Sequence, residues 1–401
     1  MTTIGIISEY NPFHKGHQYQ LEQIHIKNPN AIRIAIMSGS FVQRGEPAYF
    51  SKFDRARWAI LGGADVVIEL PTIYALGSAE IFSTGAVRLL KALKIDAISF
   101  GTELDNLQLL QEAAQLLNSL QGQSLISERI QTGVSYGTAL RQVLERELEH
   151  GHLLATAPNA ILGIEYIRSA RQYHKDLTII PIHRHSNHHS DQLSISSPFP
   201  SGSALRQALQ NKQCIKDFIP HSIADDMNQV ITAGAYTNYS RYEDFLLAFY
   251  RLFSPEQLRQ FADFTEGIEH RWHNATSQPS WQTVLETIKT KRYTYVRLQR
   301  MAAYGALGIT KEIMNRAHQE APPYARLLAF NDSGRQWLKN KSTDLPLIQK
   351  WAQGLSLVSD LGQELLRIDE KATDLQTYTW ENPLLREGKR DYKTSPQYIE
   401  L

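Results

Sequence analysis

Two histidines three residues apart, His14 and His17, flank Gly16 in the run Asn11-Pro12-Phe13-His14-Lys15-Gly16-His17. An apolar stretch, Thr3–Ser8, precedes the run, and a helical pattern opens at Gly16-His17. A helix start offers unpaired N–H groups and partial positive charge, which suit a phosphate. Gly16 lets the backbone approach such a ligand closely, and two imidazoles can donate hydrogen bonds to an α-phosphate. Attack at that phosphorus loads negative charge onto its equatorial oxygens, and donors fixed for that charge favour the transition state over the bound substrate. The predicted chemistry is nucleotidyl transfer by positioning and electrostatics, with no covalent enzyme intermediate. A bare histidine pair in a loop would be ordinary solvated side chains. The strand before it, the helix after it and the Asn-Pro-Phe ahead of it favour the nucleotide.

Such a motif needs a sheet to present it. Short β-rich runs at Thr3–Ser8, 32–37, Val66–Leu70, 95–100 and 177–182 alternate with helical patterns at Lys52–Leu61, 79–93 and 158–173. Continuous apolar strands separated by helices indicate a parallel sheet covered on both faces. The expected fold is α/β, a Rossmann-like doubly wound sheet, with ligands at the carboxyl ends of its strands. Gly101, ending one of those strands, is placed to meet a nucleotide or to make a simple turn. The stretch 184–201 reads as a long polar loop. Beyond Cys214 strand signals thin out, and from about Ser240 the pattern is mostly helical: Phe245, Leu246, Phe249 and Tyr250 share one face. Asn331-Asp332-Ser333-Gly334 reads as a turn after the apolar run 327–330. We expect an ATP-binding catalytic domain over 1–212 and a mostly helical domain over 213–401, with the boundary somewhere between 210 and 240.

A length of 401 residues fits two domains. The single cysteine, Cys214, excludes an internal disulfide framework and a cysteine-rich zinc site, and it fits a reducing cytoplasm. The start of the chain carries no signal-peptide pattern, and no apolar run approaches the roughly 18 residues of a membrane span. A formal net charge of +1 announces no nucleic-acid binder, so any basic surface for RNA must be local. The best candidate is Lys289, Lys291, Arg292, Arg297 and Arg300, interleaved with Tyr293 and Tyr295. Cations there would neutralise phosphates while tyrosines stack on unpaired bases; the competing reading is an amphipathic helix with its aromatics inward. Arg386, Lys389, Arg390 and Lys393 form a second basic patch, for RNA or solvent. Lys52, Arg55 and Arg57 lie on a predicted helix and face phosphate, RNA or solvent. His183, His185, His188, His189 and Asp191 match no standard zinc spacing, so no protein metal site is assigned and those imidazoles are expected to line the RNA or nucleotide entrance.

Longer motifs narrow the family. Glu9-Tyr-Asn-Pro-Phe-His-Lys-Gly-His, Met37-Ser-Gly-Ser-Phe-Val-Gln-Arg-Gly-Glu-Pro and Asp65-Val-Val-Ile-Glu-Leu-Pro together resemble the bacterial tRNA(Met) cytidine acetate ligase family, within the HxGH nucleotidyltransferase superfamily. Phe100-Gly-Thr-Glu, Pro158-Asn-Ala-Ile-Leu-Gly-Ile-Glu-Tyr and Lys291-Arg-Tyr-Thr-Tyr-Val-Arg-Leu-Gln-Arg-Met extend the likeness over most of the chain. The resemblance implies activation of acetate by ATP, with magnesium held largely by the phosphates, and acetyl transfer to N4 of the wobble cytidine of elongator tRNA(Met). It implies His14 and His17 as catalytic groups. It also implies ATP contacts along Ile7, Ser8, Glu9, Tyr10, Asn11, Pro12, Phe13, His14, Lys15, Gly16, His17, Gln18, Tyr19 and Gln20, and at Gly101, Asn159 and Arg184. Asn159 by itself would be a helix cap. The superfamily's second phosphate motif corresponds to Ser201-Gly202-Ser203-Ala204-Leu205-Arg206, which keeps the first serine and the arginine but has glycine and serine where serine and threonine are usual. Ser201, Ser203 and Arg206 are thus candidate phosphate ligands or simple helix-start residues. Two other functions stay open: an adenylyltransferase for a mononucleotide or phosphopantetheine, and a non-catalytic ATP- or RNA-binding module.

Overall fold

The computed structural model describes residues 2–184, 199–341, 343 and 345–401. Its centre is one sheet of the strands β1 (Thr3–Ser8), β2 (Ile32–Ser38), β3 (Val66–Leu70), β4 (Ala97–Thr102), β5 (Thr178–His183), β6 (Ala325–Phe330), β7 (Leu347–Ile348) and β8 (Gln397–Tyr398), in the order β5-β4-β1-β2-β3-β6-β7, with β8 also on β6. β1 to β5 run parallel. The expected doubly wound core is present. Alternation along β2 shows why both faces must be covered: Ile34 and Ile36 join the apolar cluster of Phe82 and Leu89, whereas Ala35 and Met37 join that of Leu21 and Trp58. The helices Lys15–Lys27 and Lys52–Leu61 therefore lie on one side of the sheet, and Ala79–Ala92 and Pro158–Tyr173 on the other.

The apolar run before Asn331 differs from the sequence reading. It is β6, paired antiparallel with β3, so the second half of the chain supplies strands to the same sheet. Asn331 is not merely a turn residue but the N-cap of the helix Asp332–Asn340, its Oδ1 accepting from Gly334 N at 2.9 Å. Elsewhere residues 213–401 are mostly helical, and Tyr250, Trp272 and Trp281 pack together there with ring centroids 5.2–5.9 Å apart.

Lys52 and Arg55 face neither phosphate, tRNA nor solvent: both are fully buried. Lys52 Nζ pairs with Glu69 (2.8 Å) and with Asp391 (2.9 Å), and Arg326 pairs with the same two carboxylates. Two cations and two anions balance, which is what lets charge persist in a dry interior. Arg57 is held by Asp54 and Asp226. The C-terminal cations are similarly engaged: Arg386 donates to the Trp380 and Glu381 carbonyls, Arg390 lies over the Trp380 ring, and Lys393 pairs with Glu387.

Candidate active site

Strand order reverses between β1 and β4, and the carboxyl ends of these strands border a cleft of about 440 Å3. Ile7, Ser8, Glu9, Tyr10, Asn11, His14, His17 and Gln20 line it from the β1 side, with Gly101, Asn159 and Arg184 from the β4–β5 side. Ser201, Ser203 and Arg206 close it from a third direction. Gly16 and Tyr19 line an adjoining crevice with His17, Gly101 and Arg184. Phe13 is in the core, Pro12 is buried, and Gln18 borders neither space. Lys15 turns away, donating to the Asp217 carbonyl at 2.6 Å. His185, His188, His189 and Asp191 lie outside the described residues.

The histidine pair caps its own helix. His14 Nδ1 accepts from Gly16 N at 3.0 Å, and His17 Nδ1 accepts from His14 N at 3.3 Å. A Cβ on Gly16 would stand 2.8 Å from the His14 ring, so glycine is required by the cap itself. The rings stack at 3.8 Å. With each Nδ1 accepting, the network assigns the proton of each neutral ring to Nε2, leaving one donor apiece for a ligand. Burial, reinforced by the Arg184 charge, pushes the His14 imidazole down to about 3. His17 is lowered likewise by burial, then by His14 and Arg184. Both rings are therefore neutral donors at physiological pH.

Arg184 brings a positive charge to this pair. Its Nη1 donates to Asn159 Oδ1 at 3.4 Å, and Gly101 leaves room for its side chain, since a Cβ there would lie 3.0 Å from Arg184 Cδ. Glu103, to which the sequence assigned no role, organises this wall. Its carboxylate accepts from Asn159 N (3.0 Å), Asn159 Nδ2 (2.6 Å) and Ala160 N (2.9 Å), capping the helix Pro158–Tyr173. The only local signal was its place two residues beyond Gly101. Arg55 was also missed as a support. It donates to the carbonyls of Glu9 (2.6 Å), Ser38 (3.0 Å), Phe50 (3.1 Å) and Gly39, tying together the chain ends that leave β1 and β2.

The cleft is also lined by the start of the helix Gly202–Gln210, capped by Ser201, whose Oγ accepts from Ala204 N at 3.1 Å. Arg206 Nη1 donates to the Asn11 carbonyl at 2.7 Å, and its Nη2 reaches Ser203 Oγ at 3.5 Å. The glycine that departs from the superfamily pattern has a local reason: a Cβ on Gly202 would stand 3.1 Å from the Asn11 carbonyl oxygen. Helix N-termini, the two histidine rings and three arginines, Arg44, Arg184 and Arg206, thus line one cleft, an arrangement that fits a polyphosphate.

Of the basic stripe, Arg297 forms a two-point pair with Asp263 (2.8 and 2.6 Å) and stacks on Tyr293, while Arg292 pairs with Glu266 at 2.6 Å. Tyr293 is buried, as the competing reading held, and Tyr295 is half-buried. Lys289 and Lys291 are exposed, and Arg300 is partly so. Arg44, given no role from sequence, lines the cleft as well.

A family model described as HIGH Nucleotidyl Transferase matches residues 1–391. The tRNA(Met) cytidine acetate ligase of Geobacillus sp. (strain WCH70) is 37% identical over 357 residues, covering 86% of this chain and 88% of the relative. That of Acetivibrio thermocellus is 32% identical, with 98% of each chain covered. The crystal structure of Thermotoga maritima TmcAL bound with alpha-thio ATP superposes with a TM-score of 0.91 at 29% identity, and the apo form with 0.93 at 30%, each over 100% of both chains.

Proposed function

This chain belongs to the tRNA(Met) cytidine acetate ligase family of HIGH nucleotidyl transferases, and from that premise we propose that it is an ATP-dependent ligase that acetylates the wobble cytidine of elongator tRNA(Met). A carboxylate oxygen of acetate attacks the α-phosphorus of ATP, the bond to the β-phosphate breaks, and pyrophosphate leaves. The N4 amine of the cytidine then attacks the carbonyl carbon of acetyl-adenylate, loses a proton and expels AMP. The observation carrying this reading is the histidine pair, each Nδ1 engaged in capping its helix, lining one cleft together with the start of a second helix. His14 and His17 donate to the α-phosphate oxygens as charge builds there. Ser203, Arg206 and the amides at the start of the helix Gly202–Gln210 hold the leaving phosphates.

Arg184 and Asn159, fixed by Glu103, serve the nucleotide beside Gly101. Among the described residues no group of three histidine, cysteine or carboxylate side chains converges as a metal site. A magnesium ion carried in with ATP would rest mainly on phosphate oxygens and supply charge neutralisation there. Lys289, Lys291, Arg292, Arg297 and Arg300 are the proposed RNA-facing group, with Lys289 and Lys291 the most available to phosphates. The two units, 1–212 for adenylation and 213–401 for RNA, and a cytoplasmic setting complete the proposal. No described helix is long and apolar enough to cross a membrane.

The adenylation half is tested by ATP–pyrophosphate exchange with purified protein. Exchange that requires acetate supports it. Exchange driven by a mononucleotide or phosphopantetheine instead would place the chain among the adenylyltransferases.

A further inference from the structure

Beside the phosphate cradle lies a second cavity of about 280 Å3, separated from the ATP cleft by Arg44, Ser203 and Arg206, which line both. Its floor is the 41–47 hairpin, in which Gly45 adopts φ +87° and packs so closely on the helix Tyr295–Leu307 that a Cβ would stand 2.4 Å from Arg300 N. Its far wall comes from the helices Tyr239–Arg251 and Trp281–Ile288. The cavity is where the 41–47 hairpin and the helix Gly202–Gln210 meet the helical half.

Three observations define what would fit. Tyr239 and Tyr242 both line the cavity, and their buried hydroxyls have no hydrogen-bond partner. Such orphans cost stability unless a ligand satisfies them. Glu46, 3.8 Å from Arg206, adds an acceptor, and burial raises its carboxyl above the usual range. Tyr295, half-buried, offers an aromatic face at the rim. A flat group with polar edges matches this set: polar atoms to meet the phenols and the carboxyl, a π-face to stack. The volume sits near the roughly 300 Å3 lower end of small-ligand pockets, which suits one base rather than a stacked run.

We propose that this cavity receives the acceptor base of the RNA, flipped out of its stack and stacked on Tyr295, so that its amine meets the adenylate past the shared Arg44–Ser203–Arg206 wall. The inference rests on reading the chain as an RNA-acetylating ligase, and it names where the second substrate sits.

The full-length enzyme is assayed in two ways. One is acetate-dependent ATP–pyrophosphate exchange, which needs no RNA. The other is transfer of labelled acetate to an unmodified tRNA(Met) transcript. Tyr295→Ala is expected to lose roughly tenfold to hundredfold in kcat/KM for the transcript, the range of one base–aromatic stack. Exchange stays within about threefold of wild type, and Tyr295→Phe regains most of the transfer. Tyr242→Phe removes an unsatisfied hydroxyl, so it is at least as stable as wild type while losing roughly twofold to tenfold in transfer. A merely structural tyrosine would give equal loss in both assays. Equal loss, or full transfer in both variants of an active enzyme, overturns the proposal. A wild-type enzyme with no acetate-dependent exchange overturns the underlying ligase reading and this placement with it.

Discussion

His14 occupies the N-cap position, usually held by serine, threonine, aspartate or asparagine, and His17 the N3 position of a capping box, usually glutamate or glutamine. Using imidazole there costs each ring its Nδ1 but fixes its orientation and tautomer before any ligand arrives, the preorganisation that stabilises developing charge. The histidine pair at a helix start was legible in the sequence; that each ring caps the helix through its Nδ1 was not. The reason for Gly16 was not: the sequence suggested room for a nucleotide, whereas the structure shows room for the His14 ring. Arg55 and Glu103 escaped notice because their partners lie 46 and 56 residues away. His17→Ala is expected to lower acetate-dependent exchange about 10²–10³-fold, the cost of one transition-state donor, while circular dichroism stays that of the wild type. Near-normal exchange would remove His17 from the chemistry. The pH dependence follows from burial. His14 is held at about 3, and His17 is also lowered, so neither takes up a proton as pH falls from 8 to 6. The kcat/KM profile for ATP should therefore lack an imidazole inflection near 6.5; a limb rising through that pH would show a histidine titrating in the free enzyme.

At the level of elements, the five parallel strands could be read from their apolar runs and the breaks between them. β6 could not. It is six residues long with Arg326 inside it, and it pairs antiparallel with a strand about 260 residues earlier. That arginine is tolerated in the sheet because Glu69 on β3 and Asp391 near the C-terminus face it. Likewise the helix Lys52–Leu61 looked like a charged surface element, yet its lysine and first arginine point inward. Charge alone does not tell a solvated helix face from one that clamps carbonyls. Arg55→Met should destabilise the protein by about 3–5 kcal/mol, since it leaves several buried carbonyls unpaired. Arg55→Lys should rescue little of this, because one ammonium cannot reach the same spread of acceptors. Denaturant unfolding midpoints of the two variants decide it; a Lys variant matching wild type would mean that one carbonyl carries the effect.

Across the whole molecule, the chain's two halves are joined by the shared sheet, by the buried quartet of Lys52, Glu69, Arg326 and Asp391, by further side-chain bonds such as Arg57–Asp226 and Thr72–Asp369, and around the cavity between the 41–47 hairpin and the C-terminal helices. A linear reading suggested an N-terminal catalytic unit and a helical remainder, because strand signals thin out beyond Cys214. It had no means of showing that the remainder returns to the sheet edge. Asp391→Asn leaves one cation of the quartet uncompensated and should cost about 3 kcal/mol of stability, with exchange per folded molecule unchanged at 25 °C. Loss of exchange without loss of stability would mean that the C-terminal segment acts on the cleft directly. The product formed tests the ligase function most directly. Incubating the protein with ATP, magnesium, labelled acetate and unmodified tRNA, then digesting the RNA to nucleosides, should yield labelled acetylcytidine from elongator tRNA(Met), and none when ATP is omitted. Acetate-dependent pyrophosphate exchange with no acetylcytidine in any tRNA would contradict it, leaving an adenylating domain whose acceptor is something other than a cytidine amine.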